Sequence, residues 1–458
     1  MIKVTKLSIA MASQRRLPPQ NLFFSPLQRY IQHCRQSSVT AIALDEDEVS
    51  YRKSTSASTS SPPPLYVSAT RQHVGKTTTS MALVSGLQKR FDQVGFMKPV
   101  GQVCLEVNDG GKTVQVDKDA VLVKEHFHLN HVKYNNISPV LIPRGYTRDY
   151  LDGHISYREQ EELVHRAYAE TSESSDIVLC EGTGHCAVGS IVHASNAQVA
   201  SWLNAKMVLV ANGGLGNTFD DLELNKALCD REGVDVCGVI VNKVQPDKLE
   251  QTREYIQKAF DMHWGKDEVP LVGVIPDRPF LGCPALADFE RLFQTKLLTG
   301  RQHLLRHYRV RDLSLVATSL QVFLRDMRNN PSRTLYVCHA SRNDILLGFL
   351  LESPLIADRG GTKANESALI VTGTDEYPLS DQVLDIVHAM KESESSPPVM
   401  LVPQSTSLVM EQIVNYTPKL NFEDSRRAST AVEHYEPYID FDLLLERSGH
   451  LLEQETSP

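Results

Sequence analysis

The length of this chain, 458 residues, exceeds one typical core and predicts about two or three domains. Its hydrophobic content of 41% and its charged content of 22% are ordinary for a soluble globular protein. A net charge of −9 without a basic stripe argues against a nucleic-acid partner, and no apolar run approaches the length that spans a bilayer.

The segment before Asp45 differs in composition from the rest of the chain. It contains lysines, arginines, serines and threonines but no acidic residue. This composition is typical of an organelle transit peptide, so we expect import into a mitochondrion or a plastid. The alternative is a tail without an address, which would leave the protein in the cytoplasm. A polar linker, DEDEVSYRKSTSASTSSPPP, follows. We therefore assign residues 1–64 to leader and linker and expect folded structure from Leu65.

From Leu65 onward, short apolar strands alternate with stretches whose apolar residues recur at helical spacing. This alternation predicts β-α-β crossovers, and therefore an α/β fold with a doubly wound, mostly parallel sheet at residues 65–280. A helical connector is predicted at 281–307 and a second, smaller α/β domain at 308–446. Residues 447–458 have the polar composition of a tail. The predicted strands of the first domain are LYVSAT, QVGFMKPV, SDIVLCEGTG, AKMVLVANGG, VDVCGVIVNK and VPLVGVIPD.

The stretch SATRQHVGKTT contains the end of a phosphate-binding loop. It lies between a predicted strand and a predicted helix, where backbone N–H groups and a helix N-terminus can wrap phosphates. In such a loop Gly75 lets the backbone approach the ligand, Lys76 contacts the β- and γ-phosphates, and the Thr77 hydroxyl binds Mg²⁺. Thr78 and Thr79 are neighbouring alternatives to Thr77. The usual pattern has glycine where this chain has Thr70; the alternative interpretation is an exposed turn.

Two carboxylates follow in positions suited to Mg²⁺, which prefers hard oxygen ligands. Glu181 comes directly after the apolar strand DIVLC, at the edge of a parallel sheet where ligands bind. The glycines of EGTGH allow a ligand to approach the backbone there. Asp119 begins a predicted helix in VDKDAVLV. Its alternative role is that of an acidic residue stabilising the helix N-terminus.

Two further polar residues end predicted strands. Lys98 in GFMKPVGQ points at the ligand crevice of a doubly wound sheet, unless it is a solvated lysine after an edge strand. Asn242 in VIVNKV carries an amide that offers both a donor and an acceptor to the edge of a purine base. The alternative for Asn242 is a turn asparagine at the end of a strand.

Taken together, these five elements resemble the dethiobiotin synthase-like branch of P-loop proteins. That family has a variant loop whose first glycine lies one residue early, and Ala69 stands at that position in ATRQHVGKT. The resemblance covers roughly residues 65–280 and implies a domain that binds ATP with Mg²⁺. The remaining matches to family motifs are Lys98-Pro99-Val100, Asp119-Ala120, Glu181-Gly182-Thr183-Gly184 and Asn242.

The resemblance also implies a role for each matching residue. Lys76 and Lys98 correspond to catalytic residues. The Mg²⁺ ligands that it implies are Thr77, Asp119 and Glu181. The nucleotide-binding residues that it implies are Ala69, Thr70, Val74, Gly75, Lys76, Thr77, Thr78 and the adenine-reading Asn242.

Other stretches depart from the synthase pattern and resemble the N-terminal region of long phosphate acetyltransferases. These stretches are ISPVLIPRGYTRDYLDG, EGTGHCAVGSIVHASNAQVASWL and NGGLGNTFDDLELNKA. In those proteins the P-loop fold precedes a so-called DRTGG domain, which the second domain here resembles in SRNDILLGFLL and ALIVTGT. The DRTGG motif itself does not occur in the sequence, and the nearest stretch is Asp358-Arg359-Gly360-Gly361-Thr362. The acetyltransferase catalytic domain would follow, and this chain ends before it, so we do not expect phosphate acetyltransferase activity.

The leading hypothesis is a two-domain protein that binds Mg²⁺–ATP and whose DRTGG-type domain senses an effector or forms a homo-oligomer. If ATP is hydrolysed, the chemistry is phosphoryl transfer. Two alternatives stay open. One is an ATP-dependent ligase of the dethiobiotin synthase type, acting on a small-molecule acid. The other is a non-catalytic nucleotide-sensing regulator of a separate acyltransferase or metabolic enzyme.

Overall fold

The computed structural model describes residues 63–329, 333–358, 366–391 and 396–450. These residues belong to one compact unit, Thr59–Pro458. The leader and linker predicted at 1–64 lie outside the described residues except for the last two, so the targeting of this protein stays a prediction. Within the described ranges, none of the helices combines the length and the apolar character needed to cross a bilayer.

The first domain is built on a six-stranded sheet in which every pairing is parallel. The order of strands across this sheet is β10-β9-β8-β1-β7-β2, so β1 lies between β7 and β8. The first-domain strands, including two small ribbons, are β1 (Leu65–Ala69), β2 (Val94–Met97), β3 (Val100–Gly101), β4 (Cys104–Asp109), β5 (Lys112–Asp117), β6 (Val140–Leu141), β7 (Ile177–His185), β8 (Lys206–Asn212), β9 (Val236–Val244) and β10 (Leu271–Pro276).

Helices cover both faces of this sheet. Successive side chains of β1 point to opposite faces, and Leu65 and Val67 join one hydrophobic cluster while Tyr66 joins another. This arrangement confirms the predicted α/β fold with a doubly wound parallel sheet. The helices of the first domain are α1 (Lys76–Gln88), α2 (Lys118–His126), α3 (Tyr134–Ile137), α4 (Tyr146–Leu151), α5 (Tyr157–Ser172), α6 (Asn196–Trp202), α7 (Gly216–Arg231) and α8 (Leu249–His263).

An antiparallel hairpin, formed by β4 and β5, was absent from the sequence prediction. Its turn is Gly110-Gly111, with φ angles of 57° and 88°. Two residues with positive φ form the tight turn whose twist matches that of the flanking strands. The hairpin ends at Asp117, whose side chain accepts a hydrogen bond from the Asp119 N–H and so caps α2. It therefore brings Asp117 and Asp119 to the edge of the large sheet.

The second domain is a smaller α/β unit with a five-stranded sheet of order β11-β15-β14-β13-β12. The pairings among β12 to β15 are parallel, and β11 joins β15 antiparallel. Its strands are β11 (Leu297–Thr299), β12 (Leu313–Leu315), β13 (Leu335–His339), β14 (Ala368–Thr372) and β15 (Val399–Val402). The helices that precede and surround it are α9 (Leu286–Phe293), α10 (Leu320–Asn329), α11 (Asn343–Asp358), α12 (Asp381–Lys391) and α13 (Thr406–Asn415).

The connector predicted as helical at 281–307 differs from the structure. It contains α9, but β11 follows within the same segment and is the edge strand of the second sheet. The buried apolar residue Leu297 pairs with Met400 of β15. A three-residue strand is too short to show a period in the sequence, so only its pairing with β15 identifies it.

The last two helices, α14 (Ser425–Tyr435) and α15 (Phe441–Ser448), pack against the first domain. The buried face of α14 carries Ala428, Ala431 and Tyr435. These three side chains belong to the hydrophobic cluster that also holds the buried residues of α1. The C-terminal segment therefore contributes to the core around the phosphate-binding loop.

The close approach of α15 to α1 depends on Gly86. A Cβ atom at that position would lie 2.0 Å from the ring of Phe441, so a larger residue would push the two helices apart. The segment from Leu420 onward thus completes the core of the first domain, although the sequence pattern included it in the domain at 308–446. Helix α15 also continues to Ser448, into the segment predicted as a tail.

Candidate functional site

The phosphate-binding loop joins the central strand β1 to α1. Thr70 continues the strand, because its N–H donates to the Val210 carbonyl at 2.9 Å. Gly75, just before α1, has a φ of 94°, a conformation that L side chains rarely adopt. A Cβ atom on Gly75 would lie 2.4 Å from Nδ2 of Asn242. Glycine is therefore required both by the backbone conformation and by the neighbouring asparagine.

Glu181 is the centre of the site. It is fully buried in β7, and its Oε1 accepts hydrogen bonds from Lys76 Nζ at 2.6 Å and from Thr77 Oγ1 at 3.1 Å. Lys98 Nζ lies 3.9 Å from the same oxygen. The second carboxylate oxygen, Oε2, is buried without a hydrogen-bond partner among the described residues. An unpartnered buried oxygen of this kind is costly, and it suits a ligand that supplies positive charge.

Lys98 also contacts a pair of carboxylates next to Glu181. Its Nζ lies 2.5 Å from Asp119 Oδ2 and 2.9 Å from Asp117 Oδ1. Asp117 is almost fully buried, whereas about 25% of the Asp119 side chain is exposed. The Asp117 carboxylate also accepts the backbone N–H of Gln102, which follows β3. These contacts lock the β5–α2 junction against the end of the large sheet.

The charges of the cluster determine its protonation. Burial lowers the pKa of Lys76, and the negative charge of Glu181 offsets this effect only in part. Burial alone would also lower the pKa of Lys98, but the carboxylates of Asp119, Glu181 and Asp117 outweigh it and raise that pKa. Burial would raise the pKa of Asp119, but the charges of Lys98 and Lys76 lower it to about 2. Lys98 and Asp119 therefore form an ion pair at neutral pH.

The donor set fits Mg²⁺ in company with a phosphate ligand. Within the described ranges, no group of three or more His, Cys, Asp or Glu residues could hold a metal ion without outside help. Mg²⁺ is typically bound by one or two carboxylates, with phosphate oxygens and water completing its shell. The unpartnered Oε2 of Glu181, the Thr77 hydroxyl and the partly exposed Asp119 provide such a partial set.

A cleft of about 700 Å³ opens above the loop. It extends from Lys76 and Asp119 to Lys243 of β9 and to residues after β10, and its lining includes Lys419 and Tyr435 from the C-terminal segment. Seven lysine and arginine residues line it against three aspartates. This excess of positive charge favours a polyanionic ligand.

The structure brings five of the eleven site residues suggested by the sequence into one group of contacts. Lys76, Thr77, Lys98, Asp119 and Glu181 form one connected cluster.

The remaining predicted residues surround that cluster. Ala69 is the buried last residue of β1, and Thr78 is half-buried and lines the cleft. Thr70 is buried, and its hydroxyl has no hydrogen-bond partner among the described residues. Val74 is buried, and its carbonyl accepts a hydrogen bond from Asn242 at 2.7 Å. Their contacts with a nucleotide stay predictions.

Three cleft residues were missed by the sequence reasoning. Asp117 could have been predicted from the sequence, because two aspartates flank a lysine at the start of a helix in VDKDA. Only the second of them, Asp119, was predicted as a Mg²⁺ ligand. The ammonium group of Lys243, next to Asn242, donates a hydrogen bond to the His73 carbonyl of the loop at 2.5 Å. Tyr435 had no signal, since it lies 193 residues after the asparagine that it contacts.

Comparisons with known proteins agree with this geometry. Residues 64–285 match the AAA_26 family model, described as an AAA domain. Over 390 residues the chain is 24% identical to a phosphate acetyltransferase of Nitratidesulfovibrio vulgaris, covering 82% of this chain and 50% of that protein. Over 227 residues it is 25% identical to the ATP-dependent dethiobiotin synthetase BioD of Xanthomonas oryzae pv. oryzae, covering 50% of this chain and 96% of that protein.

Among solved structures, a plasmid partition protein from Borrelia burgdorferi matches 47% of this chain and 91% of its own at 12% identity, with a TM-score of 0.29. The chain spans about half the length of the phosphate acetyltransferases that it matches. The first domain is thus similar in sequence to the AAA domain of that family model, to a dethiobiotin synthetase and to a phosphate acetyltransferase.

Proposed function

We propose that this chain binds Mg²⁺–ATP in the cleft at the end of β1 and transfers or hydrolyses the terminal phosphoryl group. The observation that carries the proposal is the convergence of Lys76 and Thr77 on one buried carboxylate, Glu181. A lysine and a hydroxyl at the start of a helix, facing a carboxylate at the end of a neighbouring strand, are the components of a P-loop nucleotide site. The cationic lining of the cleft supports a triphosphate ligand.

In this proposal, each side chain of the cluster has a separate role in binding the triphosphate and its Mg²⁺ ion. Lys76 donates to the β- and γ-phosphate oxygens. Thr77, Asp119 and Glu181 hold the Mg²⁺ ion, which when bound neutralises charge that develops on the phosphate oxygens. Lys98, kept protonated by its carboxylate neighbours, orients the γ-phosphate or an anionic acceptor.

The second domain is, in this proposal, a DRTGG-type regulatory module. The similarity to phosphate acetyltransferases supports this role, because the alignment extends over 390 residues and therefore beyond the P-loop domain. Of the nearest equivalent of the DRTGG motif, residues 359–362 lie outside the described residues. The effector and the self-association of this domain stay predictions from the sequence.

Calorimetric titration of the full chain with ATP tests the proposal. We expect saturable binding in the presence of Mg²⁺ and weaker binding when EDTA removes the ion, since Glu181 Oε2 and Asp119 then face the phosphates without a cation between them. Undetectable binding of ATP in the presence of Mg²⁺ would contradict the proposal.

Phosphate release, measured alone and with a panel of small acids and amines, separates the three hypotheses. Turnover without a second substrate indicates an ATPase, and stimulation by a carboxylic or diamino acid indicates a ligase. Stable binding of ATP without turnover under any condition indicates a nucleotide-sensing regulator and contradicts the phosphoryl-transfer part of the proposal.

Gly75→Ala should weaken ATP binding by about tenfold or more, because a positive φ costs an L residue roughly 1–2 kcal/mol and the new methyl group would also displace the loop. The displacement follows from the distance of 2.4 Å between the added Cβ atom and Asn242 Nδ2. The matched control is Gly111→Ala, which has a φ of 88° but no atom near its added Cβ. Calorimetry should give wild-type affinity for the control. An equal loss of ATP affinity in both variants would show that backbone strain, and not the contact with Asn242, weakens binding.

A further inference from the structure

The C-terminal helix α14 places one polar group at the nucleotide cleft. Tyr435, its last residue, is only 4% exposed and lines the cleft. Its hydroxyl accepts a hydrogen bond from Asn242 Nδ2 at 2.9 Å. The same hydroxyl lies 3.3 Å from the position of a Cβ atom on Gly75. The phenol of Tyr435 therefore lies against both the phosphate-binding loop and the end of β9.

Asn242 has no amide hydrogen left for a base in this arrangement. One Nδ2 hydrogen goes to the Val74 carbonyl at 2.7 Å and the other to Tyr435, while Oδ1 accepts the N–H of Lys243. A side-chain amide has two donor hydrogens, so both are used. Asn242 is also fully buried. Its contacts connect the loop to β9 and hold the tyrosine.

Tyr435, in contrast, keeps a donor for a ligand. A phenol can accept one hydrogen bond and donate another. Because the oxygen accepts from Asn242, the hydroxyl hydrogen must point elsewhere, and among the residues that the structure describes no acceptor receives it. A buried donor without an acceptor loses free energy, which a ligand in the cleft can restore.

The position of Tyr435 is fixed by the packing of α14. Ala428 and Ala431 on the same helix lie in the hydrophobic cluster of α1. The fully buried Arg427 ties the start of α14 to Asp288, with its Nη2 at 2.9 Å from the carboxylate. A hydroxyl on so well anchored a helix is pre-organised for binding, since little conformational freedom is lost when it meets a ligand.

We infer that Tyr435 is a specificity-determining residue that donates a hydrogen bond to an acceptor atom of the nucleotide base, and that Asn242 positions it. The inference rests on the proposed function, because it assigns the base end of the same cleft. Purines present ring nitrogens that accept such a bond, whereas a bare triphosphate offers only its phosphate oxygens as acceptors. Tyr435 thereby makes the C-terminal segment a wall of the nucleotide site.

The test compares Mg²⁺–ATP with Mg²⁺–tripolyphosphate, titrated into the full-length wild type and Tyr435→Phe. Loss of one hydrogen bond to the base should weaken ATP binding by about three- to tenfold and leave tripolyphosphate binding unchanged. Tyr438→Phe is the matched control, because Tyr438 lies three residues further on and faces His434. We expect it to bind both ligands as the wild type does. Equal unfolding midpoints show that the variants fold alike.

Each other outcome overturns the inference. Unchanged ATP affinity in Tyr435→Phe would exclude a base contact. Tighter ATP binding would mean that Tyr435 competes with the base for Asn242. Equal weakening of ATP and tripolyphosphate would mean that Tyr435 acts on the phosphates, directly or through the loop, and not on the base. A wild type that binds tripolyphosphate as tightly as ATP has no base contact, whereas a wild type that binds neither ligand refutes the proposed function as well.

Discussion

Lys76→Ala should reduce the affinity for Mg²⁺–ATP by about 10- to 100-fold, because a hydrogen bond to a charged group contributes about 1.5–3 kcal/mol. Lys76 is the cation at the start of α1, and 10% of its side chain is exposed. Its Nζ contacts Glu181 Oε1 at 2.6 Å in the absence of ligand. When phosphate binds, the ammonium changes partner without leaving the buried site, so the interaction is weakly screened by solvent.

The control for this variant is Lys258→Ala. Lys258 is an exposed lysine on α8 that pairs with Glu254 one helical turn earlier. Calorimetry should give wild-type affinity for the control, since exposed pairs of this kind contribute little. Lys76→Ala also leaves Glu181 with Thr77 as its donor, so its unfolding midpoint is measured alongside. Wild-type ATP affinity in Lys76→Ala would refute the assignment of the loop as the phosphate site.

Arg427→Met should lower the free energy of unfolding by about 3–5 kcal/mol, the usual cost of removing one partner from a buried ion pair. The side chain of Arg427 is 1% exposed. Its Nη2 donates to Asp288 Oδ2 at 2.9 Å and to the Cys283 carbonyl at 2.8 Å. Its Nε lies 3.2 Å from Asp424 Oδ2 and 3.2 Å from His307 Nε2. Methionine fills the space but removes a guanidinium from two buried aspartates. Asp288 then keeps only Arg291, and Asp424 only His307, as basic partners among the described residues.

Urea denaturation measures this effect, with Arg426→Met as the matched control. Arg426 is the exposed neighbour of Arg427, so its replacement should change the free energy of unfolding by less than about 0.5 kcal/mol. Both tryptophans of the chain, Trp202 and Trp264, lie in the first domain. Their fluorescence and the circular dichroism of the whole chain should give coincident transitions if the domains unfold together. A loss below about 1 kcal/mol in Arg427→Met would show that the network is not structurally important.

The Arg427 network matters for function because of its location. It joins α14 to residues around α9, which begins the connection to the second domain. The same helix carries Tyr435 at the nucleotide cleft. Partial loss of ATP affinity in Arg427→Met, without any change at the loop itself, is therefore the expected functional consequence.

Local sequence patterns were sufficient to predict the loop and the carboxylate that it contacts. The strand–loop–helix around Gly75-Lys76-Thr77 depends on neighbouring residues, and the glycine and the first turn of α1 follow directly from them. The position of Glu181 could be predicted equally well from the sequence, because the carboxyl ends of parallel strands meet at one edge of the sheet and β7 is the neighbour of β1. The alternation of strands and helices likewise determined the α/β class.

Only the tertiary structure decided how the cleft is completed. Asp117 contacts Lys98 because the chain turns back at Gly110-Gly111 and forms a hairpin that the sequence analysis did not predict. The strand β11 exists because β15 offers it a partner. Tyr435 meets Asn242 because α14 packs on α1, and packing between apolar faces is non-directional and carries no local signature of its partner. The sequence by itself therefore determined the contact between the loop and Glu181, whose parts are adjacent in the chain or in the sheet. The contacts of Asp117 and Tyr435 required long-range packing, which no short stretch of sequence encodes.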